Sequence, residues 1–378
     1  MKKICAVTTV EVTQTNFVIP SMKLLKEDGW DVTLVCNMTD KFIEQYGRDF
    51  HCFNIPMGRG VSLKDFLIMP FKFKKFFKEN QFDLVQYATP NASLYASLGA
   101  KWAGVKKRVY CQWGIRYVGN GGVMRKVLKT FEKLTCNNST HIRPASWKNL
   151  DYAVSEGLYT RDKAAAIGDG GTVGIDLKQF DLSKKGMNKE IVFQQFPLLK
   201  DKFVFSFVGR LNRDKGVFEL FESFLRLNRD RKDIALLLIG DMEGKLPTHL
   251  EGFTGLPNVV MTGWTNEVPK YLSAADVLVH PSYREGFSMV IQQAMALELP
   301  VVTTDIPGPS EVIEKNVTGI LAKDRDVDTL YECMKWMTEH PEERIRMGKE
   351  GRLRCEKKFT RERMLQLTLE DRNQILDF

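Results

Sequence analysis

Short apolar runs alternate along this chain with segments whose apolar residues recur at helical spacing. That alternation predicts an α/β protein built on parallel sheets. In the first half the runs place strands near 3–9, 31–36, 50–55, 83–87, 107–112 and 139–144. Helices fall between them, for example over 16–27, with Gly29 placed to cap it. A second series follows at 203–208, 234–239, 258–262, 276–280, 300–304 and 318–321. The final stretch is charged and helical, with Pro341 suited to a helix start. Residues 168–188 are rich in Gly, Asp and Lys and weakly periodic, which marks a linker. The pattern therefore predicts two Rossmann-like doubly wound domains, 1–185 and 186–358. A terminal helix, 359–378, is expected to return to the first domain. Such sheets take ligands at the carboxyl ends of their strands.

The length of 378 residues fits two domains rather than one core. No apolar run reaches the length needed to cross a bilayer. The seven cysteines are scattered, odd in number and without a Cys-x-x-Cys pair, which argues against a zinc site or a disulfide framework. Charge changes the picture more than composition does. Residues 1–180 hold 26 basic and 16 acidic side chains, whereas 181–378 hold 29 and 31. The net +8 thus comes from the first half, a surface suited to a phosphorylated or membrane-bound partner. No nucleic-acid recognition motif accompanies it.

The chemistry concentrates after two strands of the second half. The run Gly209-Arg210-Leu211-Asn212-Arg213-Asp214-Lys215-Gly216 joins a strand to a helix. There Arg210 offers a planar fork, Lys215 a compact charge and the helix start free N–H groups, all fitted to an anion. An ordinary surface turn with solvated charges is the competing explanation for that loop alone. The second run is Pro281-Ser282-Tyr283-Arg284-Glu285-Gly286-Phe287-Ser288-Met289. Its carboxylate can accept bonds from sugar hydroxyls, and the N–H groups at 286–289 can face the same ligand. A helix-start charge would explain Glu285 too, but not its neighbours.

Over 200–321 these runs, with LLLIGDMEG, VVMTGW and ELPVVTTDIPGPSEVIEKNVTGIL, resemble family 4 of the retaining glycosyltransferases, which have the GT-B fold. The resemblance implies that Arg210 and Lys215 grip the diphosphate of a nucleotide-sugar, with a UDP-linked donor expected. It implies that Glu285 and the groups at Gly286, Phe287, Ser288 and Met289 hold the sugar. Gly209 and Gly240 would line the same strand ends, and Trp264 falls where the base-binding loop lies. The family's second Glu, for the ribose, is replaced by Gln293. In the usual account of the family, the departing phosphate takes the acceptor's proton; with Arg210 and Lys215 easing its departure and no Asp-x-Asp signature beside the sugar motif, no metal and no cofactor are expected.

The first half resembles, more loosely, relatives that build bacterial capsular, exopolysaccharide and lipopolysaccharide chains. That implies acceptor-side roles for Asn91 and Arg116, and a saccharide acceptor carried on a polyprenyl diphosphate. The loop 86–91 lacks the histidine those relatives often carry, and 12–16 lacks their glycine. The run 66–78 interleaves aromatics with Lys72, Lys74, Lys75 and Lys78. With Lys106-Lys107-Arg108 and 125–129 it predicts a basic face for an anionic membrane, and so a cytoplasmic protein peripheral at the inner face of the cell membrane. Buried phenylalanines beneath solvated lysines is the other reading of that run. Two alternatives share the same architecture: a sugar-nucleotide epimerase, and a donor-binding subunit without turnover. Hydride transfer is disfavoured, since no Gly-x-Gly-x-x-Gly follows the first strand.

Overall fold

The computed structural model describes residues 1–58, 60 and 62–377. It contains two compact units, 1–173 with 362–378, and 174–361. Each is built on one six-stranded sheet whose strands pair in parallel. The unit boundary falls inside the weakly periodic 168–188 stretch, so 174–185 lie in the second unit rather than the first.

The first sheet comprises β1 (Lys3–Val10), β2 (Asp31–Asn37), β3 (His51–Asn54), β4 (Leu84–Ala88), β5 (Lys107–Gln112) and β6 (His141–Pro144). The second comprises β7 (Phe203–Val208), β8 (Ile234–Ile239), β9 (Val259–Met261), β10 (Val277–His280), β11 (Val301–Thr304) and β12 (Gly319–Ala322). The spatial orders are β3-β2-β1-β4-β5-β6 and β12-β11-β10-β7-β8-β9. Read from the first strand of each unit, the two orders are the same, the doubly wound arrangement with its switch point beside the first strand. Central strands are apolar on both faces, as Ile234–Ile239 shows by being buried throughout.

One local expectation changes and another is met. The segment 12–16 is not a loop: helix starts at Glu11, directly after β1, passes through one π segment, Gln14–Val18, and continues as Ile19–Glu27. The buried Gln14 amide donates to the carbonyls of Ala6 (2.9 Å) and Val35 (3.2 Å), which ties this turn to β1 and β2. At the far end, Gly29 adopts φ +88° while its N–H reaches Lys26 O and that of Trp30 reaches Leu25 O, the predicted glycine cap.

The aromatic–lysine run lies in helix α1 (Leu63–Asn80), N-capped by Ser62. Met69, Phe73 and Phe77 are buried, while Leu63, Leu67, Ile68 and Phe71 are exposed alongside the lysines. Each of the two readings of the run is therefore correct for one face. Helix α2 (Pro90–Ala103) packs tightly on α1, because Gly99 leaves no Cβ where Phe73 Cβ stands 2.5 Å from that position. Helix α3 (Gly122–Asn138) flanks α2. The basic face is smaller than predicted. Arg108 is spent on the carbonyls of Asn138 (2.6 Å) and Val105 (2.5 Å), and Arg125 and Lys129 pair with Glu156 (3.4 and 2.8 Å).

The terminal helix α4 (Arg361–Asp377) is docked on the first sheet. Buried Arg372 donates to Gln86 Oε1 (2.9 Å), Arg143 pairs with Asp371 (2.7 Å) and Trp30 Nε1 donates to Asn373 (3.2 Å).

Candidate active site

The carboxyl ends of β7, β8 and β10 bring three loops together. After β7, Gly216 adopts φ +68°, and a Cβ there would lie 1.9 Å from Pro281 O, in the loop after β10. After β8, a Cβ on Gly240 would lie 2.0 Å from Gly209 O. Glycine is required at both points because backbone passes against backbone. Charge then clamps the same loops. Arg284 donates to Asp214 (2.9 Å), and the Tyr283 N–H reaches Asp214 O (2.9 Å).

Within this frame Lys215 and Glu285, predicted to act on one ligand, are ion-paired through Lys215 Nζ and Glu285 Oε1. Glu285 also accepts from His280 Nε2 (3.0 Å), the buried last residue of β10. His280 Nε2 lies 3.2 Å from Ser288 Oγ, and its Nδ1 has no hydrogen-bond partner among the described residues, so the tautomer with hydrogen on Nε2 costs least. Burial by itself would raise the Glu285 pKa. The Lys215 charge and the His280 bond outweigh it and hold the carboxyl well below the usual carboxylate range. An ionised acceptor in a poorly solvated site suits sugar hydroxyls. Glu285 is therefore not a helix-start charge: the helix is Met289–Ala296, N-capped by Ser288, whose Oγ accepts from Ile291 N–H (3.4 Å).

Arg210 is placed differently. Its side chain is 64% exposed and pairs with Glu243 at 2.8 Å, and Asn212 donates to the same carboxylate at 2.5 Å. The structure thus joins Lys215 to Glu285 but gives Arg210 a separate partner, from the loop after β8. His280 and Glu243 were both missed in the sequence. The first reads as an interior strand residue, and the second as one acid among many in GDMEG.

The remaining donor-side residues sort by exposure. Phe287 is buried with its ring against Phe359 (5.3 Å between centroids), so only its backbone can meet a ligand. Trp264 is 71% exposed, with its N–H on Asp241 (2.9 Å), leaving the indole open to stack. Gln293 is partly exposed beside the buried Gln292. Asp326 caps the next helix by accepting from Thr329 N–H (2.9 Å). Among the described residues no cluster of three His, Cys, Asp or Glu is arranged to hold a metal.

In the first unit, Asn91 donates its amide to Gly58 O (2.6 Å) and Gly60 O (2.7 Å). The amide nitrogen is thus engaged by two backbone carbonyls. The preceding Thr89 has φ +70°, a strained value for a β-branched residue, held by its hydroxyl on the Thr9 N–H (3.0 Å) and Thr9 Oγ1 (2.7 Å). Arg116 and Asn91 both line one cavity of about 270 Å³.

Comparison with known proteins agrees with this division. Residues 188–354 match the family model described as glycosyl transferases group 1, and residues 3–144 match that described as glycosyl transferase 4-like. The chain is 28% identical over 342 residues to the capsular polysaccharide biosynthesis glycosyltransferase CapM of Staphylococcus aureus, covering 90% of this chain and 88% of that one. It is 23% identical over 329 residues to the Escherichia coli UDP-Gal:alpha-D-GlcNAc-diphosphoundecaprenol alpha-1,3-galactosyltransferase, covering 85% and 83%. Among solved structures, Anabaena HepE in complex with UDP superposes with a TM-score of 0.78 at 17% identity, covering 99% and 100% of the two chains. The two matched models span most of the chain in the order of its two sheets, and the chain belongs to the GT-B glycosyltransferases, family 4-like in its first half and group 1 in its second.

Proposed function

We propose that this glycosyltransferase acts in bacterial surface-polysaccharide biosynthesis, moving a sugar from a UDP-sugar to a saccharide carried on a polyprenyl diphosphate, with retention at the anomeric carbon. The observation that carries the donor half is the Lys215–Glu285–His280 cluster at the ends of β7 and β10. It sets a cation where a diphosphate needs one and an ionised carboxylate where sugar hydroxyls need an acceptor. On the acceptor half, the similar E. coli enzyme is named for a diphosphoundecaprenol substrate, and the CapM relative for capsule synthesis.

In this reading Arg210 leaves Glu243 to meet the diphosphate, and Lys215 shares its charge between Glu285 and the same group. The two cations stabilise the leaving UDP, and its phosphate oxygen takes the proton of the attacking hydroxyl. Catalysis is then positioning and charge stabilisation, without a protein base. Trp264 would stack on the base and Gln293 would bond the ribose. No described helix is long and apolar enough to cross a membrane. We place the protein peripherally at the inner face of the membrane, held by the exposed face of α1.

The test is a thermal-shift screen of UDP-, GDP- and TDP-sugars, since a ligand bound only by the folded state raises Tm by mass action. Transfer of the best donor to a lipid-linked acceptor follows, with the anomeric configuration of the product read by NMR. Stabilisation by UDP-sugars and an α-linked product from an α-linked donor are expected. A GDP-only response, or an inverted product, overturns the corresponding part of the proposal.

A further inference from the structure

The cavity of about 270 Å³ in the first unit is not explained by anything above. Its apolar walls come from α1 (Leu63, Phe66), α2 (Leu94, Tyr95) and α3 (Leu128, Phe131), with Ser62, Asn91, Glu132 and Thr135 as polar parts of the lining. The Phe66 and Phe131 rings stack at 5.5 Å. Arg116, after β5, is its cation and forms no ion pair or side-chain hydrogen bond among the described residues. A guanidinium without a partner beside an apolar chamber is matched by a ligand with an anionic head and an apolar body.

The mouth of the chamber points to the same chemistry. Leu63 lines it and is also 74% exposed. On α1, Leu67, Ile68 and Phe71 continue the exposed apolar face, and Phe71 packs on the exposed Trp102 of α2 (5.1 Å). On α3, Val123, Met124 and Val127 are exposed beside Lys126. Apolar residues flanked by the exposed Lys64, Lys72, Lys75 and Lys101 suit the boundary of an anionic bilayer, from which a lipid chain could enter without meeting water.

We propose that this chamber holds the head-proximal part of a prenyl chain, with the diphosphate at Arg116. The volume accommodates a short length of chain and falls just under the usual range of about 300–1,000 Å³ for whole small-molecule sites. The rest of a long chain would stay in the membrane. Glu132 also lines the chamber, accepting from Tyr110 Oη (2.9 Å) and Gln112 Nε2 (2.5 Å). Burial raises its pKa.

The inference rests on the lipid-linked acceptor reading, and farnesyl diphosphate tests it separately. Its binding to the full chain is measured by calorimetry, with inorganic diphosphate and farnesol as part-ligands. Leu128→Trp fills the chamber. Leu63→Glu places a carboxylate at the exposed mouth, where it cannot disturb the core, and Arg116→Ala removes the cation. Wild type should bind farnesyl diphosphate at least tenfold more tightly than either part-ligand. Each variant should weaken it at least tenfold while UDP affinity stays unchanged. No binding by wild type, or binding that Leu63→Glu and Arg116→Ala leave intact, overturns the site. Transfer to a lipid-linked acceptor that all three variants perform with unchanged KM sinks the chamber and leaves the function standing. Farnesyl diphosphate binding without any lipid-linked transfer does the reverse.

Discussion

Glu132 in the first unit and Glu285 in the second are both withdrawn from bulk water at the working end of their sheets, yet their neighbours differ in charge. Around Glu285 stand the Lys215 ammonium and the His280 N–H, and the carboxyl is held ionised. Glu132 accepts hydrogen bonds from neutral donors, Tyr110 and Gln112, and burial prevails, raising its pKa. The same strand order therefore carries two unlike pockets. One is polar, clamped by glycines and ion pairs, and the other is mostly apolar, with Arg116 and Glu132 in its lining. The difference lies in the loops and helices laid over the sheet ends, not in the sheets.

Removing the cation from the polar pocket should break the contrast most severely. Lys215→Ala is expected to lower kcat by about 10²–10³, the loss of about 2.7–4 kcal/mol seen when a preorganised donor is removed. It should also lower stability, because a buried pair that loses one partner leaves an uncompensated charge. Adding Glu285→Gln should restore much of the Tm and none of the activity. An unchanged Tm in Lys215→Ala would mean that Glu285 is well solvated. Arg210→Ala should reduce kcat on a similar or slightly smaller scale, yet leave Tm unmoved, since its pair with Glu243 is largely exposed. Normal turnover in that variant would remove Arg210 from the diphosphate site. EDTA should leave wild-type turnover intact if Lys215 and Arg210 supply the positive charge, and loss restored by Mg²⁺ or Mn²⁺ would show that they do not.

The polar pocket was legible in the sequence because its parts are local. A glycine beside Arg210 and Lys215, and Glu285 beside Gly286, each sit within one strand-to-helix turn. The pairing partners were not legible. His280 has no signature inside an apolar strand, and Glu243 reaches Arg210 only because β7 and β8 are neighbours. The apolar chamber was less legible still, since Leu63, Leu94, Leu128 and Arg116 come from four separated segments. The twelve strands could be read to within a few residues from periodicity, but helix at Glu11–Thr13 could not. Its continuation depends on Gln14 bridging two strand carbonyls, a tertiary bond that overrides local preference.

Acid and base should separate the two glutamates by smaller amounts. A depressed folded pKa means that Glu285 contributes stability above the unfolded carboxyl value of about 4.3, lost as pH falls below it. A raised folded pKa gives Glu132 the opposite sign: its contribution is full below about 4.3 and fades as pH rises through its folded value. The Tm of Glu132→Gln relative to wild type should therefore climb between pH 4 and pH 8. The Tm of Glu285→Gln relative to wild type should climb as pH falls below about 5. Parallel curves for the two variants would show that both carboxyls sit in equivalent surroundings.

The finest test of the polar pocket concerns Gln293, where the family's second Glu is missing. The residue sits on the helix Met289–Ala296, partly exposed, while the adjacent Gln292 is buried with its amide on Ser288 O (3.3 Å). If Gln293 faces the ribose, its amide supplies one acceptor and two donors to the hydroxyl pair. Gln293→Glu replaces a neutral bond with a charge-assisted one and should tighten the donor by about 1 kcal/mol, roughly a fivefold fall in KM. The value of kcat should hardly move, because ribose contacts are alike in ground and transition states. Steady-state kinetics of both forms on one donor read this directly. Turnover that exists only in the variant would mark the wild-type chain as a donor-binding subunit. Identical KM and kcat would show that Gln293 does not touch the ribose at all, and would leave Glu285 as the sole carboxylate of the donor site.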